Sequence, residues 1–254
     1  MTRTLGRTAV GHGPRRVIVL HDWMGDHRNY DPIHAYLDQS LFSWVFADLR
    51  GYGRSRGYGG RYDLVEASAD VLTLADALEW SSFHLVGHSM STLIAQQVAA
   101  DAPDRVQSLS LIAPIAPSGM GTPEHLAKFL ELLGGDEAER GPALEPQWGD
   151  RLSPRWAEFK LERWAESSLP AASKGYARMF AAERVKGSTR PDLPVLALIG
   201  EHDTEPFTEA TVRGTFLQAY QRVELRILRN AGHYPMQETP VALASAIDRF
   251  LRSL

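Results

Sequence analysis

The sequence predicts an α/β protein with a mostly parallel central sheet and helices on both faces of it. Short apolar runs bounded by turn residues predict strands at residues 16–20, 44–47, 83–86, 109–113, 195–199 and 223–228. Most of these runs are apolar on both faces, as buried parallel strands are. Helical patterns alternate with them, and strand and helix in alternation favour a parallel sheet.

The helical patterns cover residues 29–37, 64–80, 89–100, 207–220 and 240–251. The pattern of residues 64–80 is the most regular, because Leu64, Ser68, Val71, Ala75 and Leu78 recur at three- and four-residue steps. Such steps place small and apolar side chains on one helix face. Before the first predicted strand, residues 4–10 are expected to add an edge hairpin.

Residues 118–190 interrupt the alternation, because they contain no convincing strand. Helical patterns occupy residues 124–133, 155–168 and 171–183 instead. A structureless loop of this length is improbable inside a compact domain. We therefore expect a core formed by residues 1–117 and 191–254, with residues 118–190 as a helical cap, or lid, over the edge of the sheet.

Composition excludes several classes of protein. The chain has no cysteine, which rules out disulfides, thiolate metal sites and a cysteine nucleophile. Its net charge of −4 does not indicate a surface that binds polyanions. The first residues lack a secretory signal, and no apolar run reaches the roughly eighteen residues of a membrane span. We expect a cytoplasmic protein that acts on a small molecule without nucleic-acid or membrane partners; oligomeric state is not predicted.

The stretch Gly87-His88-Ser89-Met90-Ser91 carries the first sign of chemistry. It lies between a predicted buried strand and a predicted helix, where a tight turn would expose a serine hydroxyl above the sheet edge. The spacing fits Gly-x-Ser-x-Gly except that Ser91 replaces the last glycine. Ser89 is therefore a candidate nucleophile.

A serine hydroxyl needs a histidine to take its proton and a carboxylate to orient that histidine. His233 follows the last predicted strand, and Asp203 follows the strand before it. Both should reach the carboxyl edge of the sheet, where open α/β sheets bind ligands. The order Ser89, Asp203, His233 is that of hydrolases with a nucleophile elbow.

These motifs resemble the α/β-hydrolase superfamily over essentially the whole chain. Residues 48–55, Asp-Leu-Arg-Gly-Tyr-Gly-Arg-Ser, are similar to the turn of that family after an early strand. The Gly232-His233-Tyr234-Pro235 loop, with Glu238 following, is similar to its catalytic-histidine loop. The resemblance points to the branch with a serine nucleophile and a cap, which includes esterases, C-C hydrolases and cofactor-free haloperoxidases.

The resemblance implies an oxyanion hole formed by the backbone N–H groups of Met90 and Trp23. In the family the second donor usually follows His-Gly, but this chain has Asp22 in the place of that glycine. A carboxylate facing the site would oppose oxyanion formation, so we expect Asp22 to point away from it or to bind substrate or a neighbouring loop.

Aromatic and apolar side chains concentrate in the predicted cap and in the histidine loop. We interpret them as the lining of a pocket for a bulky apolar or aromatic group, with packing between cap helices as the alternative. The residues concerned are Trp148, Trp156, Phe159, Trp164, Tyr176, Met179, Phe180 and Tyr234.

The resemblance implies a serine hydrolase that cleaves carboxylic esters or lactones through an acyl-enzyme and needs no metal or organic cofactor. Hydrolysis of C-C bonds, haloperoxidase-like chemistry and a ligand receptor without turnover stay open as alternatives. The sequence also allows other assignments, with His202 as the base or with Glu201 or Glu205 as the carboxylate that orients the histidine. Two further alternatives are a metal site at His21, Asp22, Asp26 and His27, and a nucleic-acid segment at residues 50–62.

Overall fold

A seven-stranded sheet runs through the molecule in the order β1-β3-β2-β4-β5-β6-β7. The strands are β1 Arg7–Val10, β2 Arg15–Leu20, β3 Phe42–Ala47, β4 Phe83–His88, β5 Val106–Ile112, β6 Val195–Gly200 and β7 Val223–Leu228. This computed structural model describes residues 4–120, 123–134, 141–142, 144–187 and 190–254. All strand pairs are parallel except β1 with β3, so the predicted fold class is confirmed.

The edge of the sheet differs from the expected hairpin. β1 pairs antiparallel with β3, Arg7 opposite Ala47, and makes no pair with its neighbour in sequence, β2. Because β2 already pairs with β3 and β4, both of its edges are occupied. The first strand therefore extends the sheet beyond β3.

Helices cover both faces of the sheet. On one face α1, Leu64–Ala77, packs against α2, Met90–Asp101. On the other face a 3-10 helix, His27–Tyr36, contacts α8, Pro240–Arg252. β4 serves both layers, because Leu85 belongs to the first apolar core and Val86 to the second. The central strands are thus buried on both faces, which explains their continuous apolar runs.

Two predicted helices take other forms. Residues 29–37 lie in the 3-10 helix, which contains Pro32 and so lacks one backbone donor. Residues 207–220 divide into α6, Glu209–Gly214, and a 3-10 turn, Phe216–Ala219. Thr208 caps α6, and the helix ends at Gly214, a residue that costs helix stability.

Between β5 and β6 lie α3 Pro123–Gly134, a 3-10 turn Glu145–Gln147, α4 Pro154–Ser167 and α5 Pro170–Ala182. α3 packs against α5, and α5 also contacts α2. Residues 121–122, 135–140, 143 and 188–189 of the predicted cap lie outside the described residues. The division into a core of residues 1–117 and 191–254 and a cap of residues 118–190 stays a prediction.

The short helix α7, Pro235–Glu238, follows the loop that carries His233. Within the described ranges, no helix is both long enough and apolar enough to cross a membrane.

Candidate active site

Ser89 stands at a sharp turn between β4 and α2. Its backbone has φ +52° and ψ −117°, a conformation that residues other than glycine rarely adopt. The Ser89 N–H donates to the Ile112 carbonyl oxygen at 2.8 Å, which fixes the turn against β5. Gly87 allows the close approach of strand and helix, because a Cβ there would lie 2.8 Å from the Ser91 carbonyl oxygen. Strand end and helix start together hold the serine in this strained position.

Ser91 stabilises the same turn through its side chain. Its hydroxyl oxygen accepts the His88 N–H at 2.9 Å and lies 3.1 Å from the carbonyl oxygens of Leu20 and His88. The Leu20 contact ties the turn to β2. The serine that replaces the expected glycine therefore adds hydrogen bonds at the turn.

Asp203 and His233 meet at the carboxyl ends of β6 and β7. The Asp203 carboxylate accepts the His233 Nδ1–H at 3.0 and 3.1 Å. Their loops are in close contact, since a Cβ at Gly200 would lie 2.2 Å from the Gly232 carbonyl oxygen. Glu238 holds the histidine loop, accepting the N–H groups of Gly232 at 2.7 Å and Tyr234 at 2.9 Å. His233 is thus oriented from two sides.

The electrostatics of this pair suit a general base. Burial alone would lower the pKa of His233, but the Asp203 carboxylate and its hydrogen bond outweigh burial and raise that pKa above 6.5. Within the described residues, the Ser89 hydroxyl makes no hydrogen bond with His233. Contacts of this kind often tighten only when substrate is bound.

The two N–H groups expected to stabilise an oxyanion lie at the start of α2 and in the loop that follows β2. Met90 is the first residue of α2, where a backbone N–H has no partner within the helix. The Trp23 carbonyl oxygen accepts the Tyr52 hydroxyl at 3.0 Å, and the Trp23 indole donates to the Ser173 carbonyl oxygen at 2.9 Å. Neither N–H donates to an acceptor in the part of the chain that the structure describes. Both are therefore available to bind a developing negative charge.

Asp22 is buried and has several partners. Its carboxylate accepts the Asn29 amide at 2.6 Å and the Met24 N–H at 3.0 Å. The Lys160 ammonium lies 3.8 Å away. Burial alone would raise the pKa of Asp22, but Lys160 and the Met24 N–H contribute to holding it well below its usual range. Asp22 is therefore a charged residue beside the Trp23 donor.

Two histidines near the site orient loops. His88 Nε2 donates to the His233 carbonyl oxygen at 2.7 Å, and burial lowers the pKa of His88 to about 3. His21 Nδ1 donates to the Asp22 carbonyl oxygen at 2.7 Å, while its Nε2 accepts the Leu49 N–H at 3.0 Å. Both ring nitrogens of His21 are therefore occupied. His88 Nδ1 has no hydrogen-bond partner among the described residues, but a pKa of about 3 makes His88 a weak base.

A cavity of about 580 Å³ lies at the candidate site. Ser89 and His233 line it, as do Asp22 and Trp23 from the oxyanion loop. The polar side chains that line it include Lys128, Glu131, Gln147 and Glu205. The rest of the wall is mostly apolar and includes Ile115, Met120, Phe129, Leu132, Leu144, Phe180 and Phe207.

Two of the side chains predicted to bind substrate, Phe180 and Tyr234, line this cavity. The structure places the other six elsewhere, because they pack the insertion on the core and on itself. Trp148 contacts Trp156, which lies against Tyr234; Trp164 lies against Trp23; Tyr176 contacts Tyr52 and Tyr62; Met179 is fully buried in the core; and Phe159 lies beside Arg163.

The competing assignments have other environments. His202, the alternative base, is exposed. In the segment considered for nucleic-acid binding, residues 50–62, the Arg50 guanidinium pairs with Asp70 at 2.5 Å. Asp26, His27 and Asp48 form a buried group with the composition of a metal site. Within it, however, Asp48 accepts both the backbone N–H and the ring Nδ1–H of His27, at 2.9 and 2.8 Å. These hydrogen bonds explain the group as an anchor between two loops.

Sequence reasoning missed several residues of the site. The apolar wall formed by Ile115, Phe129, Leu144 and Phe207 comes from separate segments, so no local pattern indicated it. Lys160 had a signal, because it stands midway between Trp156 and Trp164 at helical spacing. The three residues form one stripe of α4.

Comparison with known proteins places this architecture. A profile described as the alpha/beta hydrolase family matches residues 17–246. The solved enol-lactonase of Burkholderia xenovorans LB400 superposes with a TM-score of 0.81 at 24% identity, covering 98% of this chain and 96% of that one.

Two curated relatives match over part of the chain. The dihydrolipoyllysine-residue acetyltransferase component of the acetoin cleaving system of Pseudomonas putida is 40% identical over 103 residues, which are 41% of this chain and 28% of that protein. The pimeloyl-[acyl-carrier protein] methyl ester esterase of Serratia marcescens is 33% identical over 104 residues, 41% of this chain and 38% of the esterase. These matches span well under half of either relative. The family profile, in contrast, covers nearly all of this chain, which therefore belongs to the alpha/beta hydrolase family.

Proposed function

We propose that this protein is a serine hydrolase that cleaves a carboxylic ester or lactone of small to medium size. One observation carries the proposal: a serine hydroxyl on a strained turn shares a cavity with a histidine that is hydrogen bonded to a buried carboxylate. This combination supplies a nucleophile, a base and a residue that orients the base.

In the proposed reaction, Ser89 Oγ attacks the carbonyl carbon while His233 Nε2 accepts the hydroxyl proton. The Met90 and Trp23 N–H groups bind the oxyanion that forms. His233 then returns the proton to the leaving oxygen, and an acyl-enzyme remains on Ser89. Water activated by His233 hydrolyses the acyl-enzyme, which restores the serine. Asp203 keeps the His233 ring in the tautomer with Nδ1 protonated.

The cavity wall supports an apolar or aromatic acyl group. Phe129, Phe180 and Phe207 contribute rings to the wall, and Leu144 and Ile115 contribute aliphatic surface. Burial of such a group is favourable by about 25 cal/mol per Å² of apolar surface. A volume of about 580 Å³ is in the range of pockets for small ligands.

The match to a pimeloyl-[acyl-carrier protein] methyl ester esterase is consistent with ester hydrolysis, although it covers only 41% of this chain. The Ser89 hydroxyl gives the chain a nucleophile for acyl transfer. The proposed size of the substrate comes from the cavity volume and not from this partial match.

The test is hydrolysis of p-nitrophenyl esters of increasing acyl length by the wild-type protein, Ser89→Ala and His233→Ala. His202→Ala is the matched control, since His202 is an exposed histidine one residue from Asp203. We expect turnover to be lost in the two site variants and kept in the control. Turnover that persists in Ser89→Ala would overturn the proposal, and labelling of Ser89 by a fluorophosphonate without turnover of any ester would favour C-C hydrolysis or a receptor.

A further inference from the structure

Helix α4 lies across the two loops that form the site. Its residues Trp156, Lys160 and Trp164 are four apart and so share one face. The Trp156 ring lies 5.5 Å from the Tyr234 ring, next to His233, and the Trp164 ring lies 4.9 Å from the Trp23 ring. The stripe Trp156–Lys160–Trp164 therefore spans from the histidine loop to the oxyanion loop.

Lys160, in the middle of this stripe, is fully buried. Its ammonium lies 3.8 Å from the centre of the Tyr234 ring and 3.8 Å from a carboxylate oxygen of Asp22. Among the described residues, Nζ has no hydrogen-bond partner. A lysine on a helix usually extends its charge into water. Here the charge is held inside the protein, facing the carboxylate and an aromatic ring.

The charge of Asp22 matters because of where this residue lies. Asp22 lines the cavity that contains Ser89, and its neighbour Trp23 supplies an expected oxyanion donor. A negative charge at this position opposes the negative charge that develops in the transition state. A cation within about 4 Å offsets it, and in a buried site such pairs interact more strongly than in water.

We propose that Lys160 is a positioning residue for the reaction: its ammonium neutralises Asp22, so that Asp22 can hold the oxyanion loop without opposing the oxyanion. Asp22 keeps its structural role, accepting the Met24 N–H and the Asn29 amide. Lys160 comes from α4, so the docking of this helix completes the electrostatics of the site. The inference rests on the proposed serine hydrolase function.

The test is a double-mutant cycle of Asp22→Asn and Lys160→Met, measured by ester hydrolysis near neutral pH. Methionine keeps the length and the apolar stem of lysine, and asparagine keeps a side chain able to form hydrogen bonds. We expect Lys160→Met alone to lower kcat on the order of tenfold or more, with a smaller effect on KM, since the oxyanion exists only in the transition state. In the Asp22→Asn background, the same change should cost less than about threefold.

Arg155→Met is the matched control, because it removes a cation from the exposed side of the same helix. It should leave kcat within about twofold of the wild-type value. Thermal unfolding of each variant separates folding defects from changes in rate. Should Lys160→Met fail to fold, Lys160→Gln is measured in the same two backgrounds.

A pH profile gives a second readout. Burial, only partly offset by Asp22, lowers the pKa of Lys160 to about 8. As pH rises through that value the ammonium is lost and kcat should fall, whereas Asp22→Asn should show no such fall. The other charged or titratable groups around Lys160 are Asp26, Arg163, His88, His233 and Tyr234. The wild-type protein and Asp22→Asn both retain all of these groups.

Each outcome has a separate meaning when Ser89→Ala is included. An equal loss of kcat from Lys160→Met in both backgrounds would show that Lys160 acts independently of Asp22, and would overturn the inference while leaving the proposed function intact. Turnover that does not depend on Ser89 would overturn both. A loss confined to the background that contains Asp22 is the result that we expect.

Discussion

Replacing Ser89 with glycine should stabilise the protein while abolishing its activity. Ser89 has φ +52° and ψ −117°, outside the regions that residues with a Cβ adopt freely. Glycine reaches this conformation without steric conflict. Within the described residues, the Ser89 hydroxyl makes no hydrogen bond that the substitution would remove.

The magnitude follows from two opposing contributions. Relief of backbone strain of this kind contributes about 1–3 kcal/mol. Glycine also gives the unfolded chain more freedom, which costs about 0.5–1 kcal/mol. The expected net gain is about 1 kcal/mol. For a chain of 254 residues, this raises the melting temperature by roughly 2–4 °C.

The assay compares Ser89→Gly with Ser89→Ala by urea unfolding and by thermal unfolding. Alanine removes the hydroxyl but keeps the Cβ, so it keeps the strain and should stay within about 0.5 kcal/mol of the wild-type free energy of unfolding. Both variants lack the nucleophile, which makes loss of activity common to both. The difference in stability between them then reports the relief of backbone strain minus the cost of glycine in the unfolded chain.

At an ordinary position, glycine is less stable than alanine. If Ser89→Gly also unfolds at a lower urea concentration than Ser89→Ala, the turn at Ser89 is not strained and backbone strain does not account for the position of the hydroxyl.

Two further predictions concern the same site. Ser91→Ala should lower the free energy of unfolding by about 1–3 kcal/mol, because the buried His88 N–H loses its acceptor. The control Ser110→Ala, at a buried hydroxyl with no partner among the described residues, should be neutral or stabilising. If urea unfolding gives both variants the same stability, the assigned role of Ser91 is contradicted. The kcat/KM should fall as pH decreases through the pKa of His233, which the Asp203 carboxylate raises above 6.5. Asp203→Asn should move this acidic limb of the pH profile to lower pH and reduce the rate on the order of a thousandfold or more. A pH–rate profile in which the acidic limb does not move would refute the assignment of Asp203 as the partner of His233.

Local patterns were sufficient to predict most of the fold. Buried parallel strands are short apolar runs, and the six predicted strands form the parallel part of the sheet. The edge strand β1 was different, because which strand it pairs with depends on which edges the others leave free. The 3-10 helix at His27–Tyr36 followed from Pro32, a local feature to which the helical pattern gave too little weight.

The candidate catalytic residues could be predicted for a topological reason. In a parallel sheet the loops after successive strands meet at one edge, so chain order brought Asp203 and His233 together. The sequence identified Ser91 only as the residue that replaces the last glycine of the Gly-x-Ser-x-Gly spacing. Its hydrogen bond to Leu20 of β2 depends on the distance between two strands, which the sequence does not state.

The cavity wall and Lys160 could not be predicted in the same way. Aromatic residues in the insertion indicated an apolar surface, but the sequence does not say whether that surface faces a cavity or a loop of the core. Trp156 and Trp164 are used to dock α4 on Tyr234 and Trp23. The partner of Lys160 is Asp22, about 140 residues away in the chain, and only the docked helix brings the two charges together.

The most direct test of the proposed function is to identify the residue that a fluorophosphonate modifies. The protein is treated with the probe and digested, and the modified peptide is sequenced by mass spectrometry. The account predicts one adduct, on Ser89, which is absent from Ser89→Ala and slow to form in His233→Ala. An adduct on another residue, or labelling of Ser89→Ala at the wild-type rate, would contradict the account.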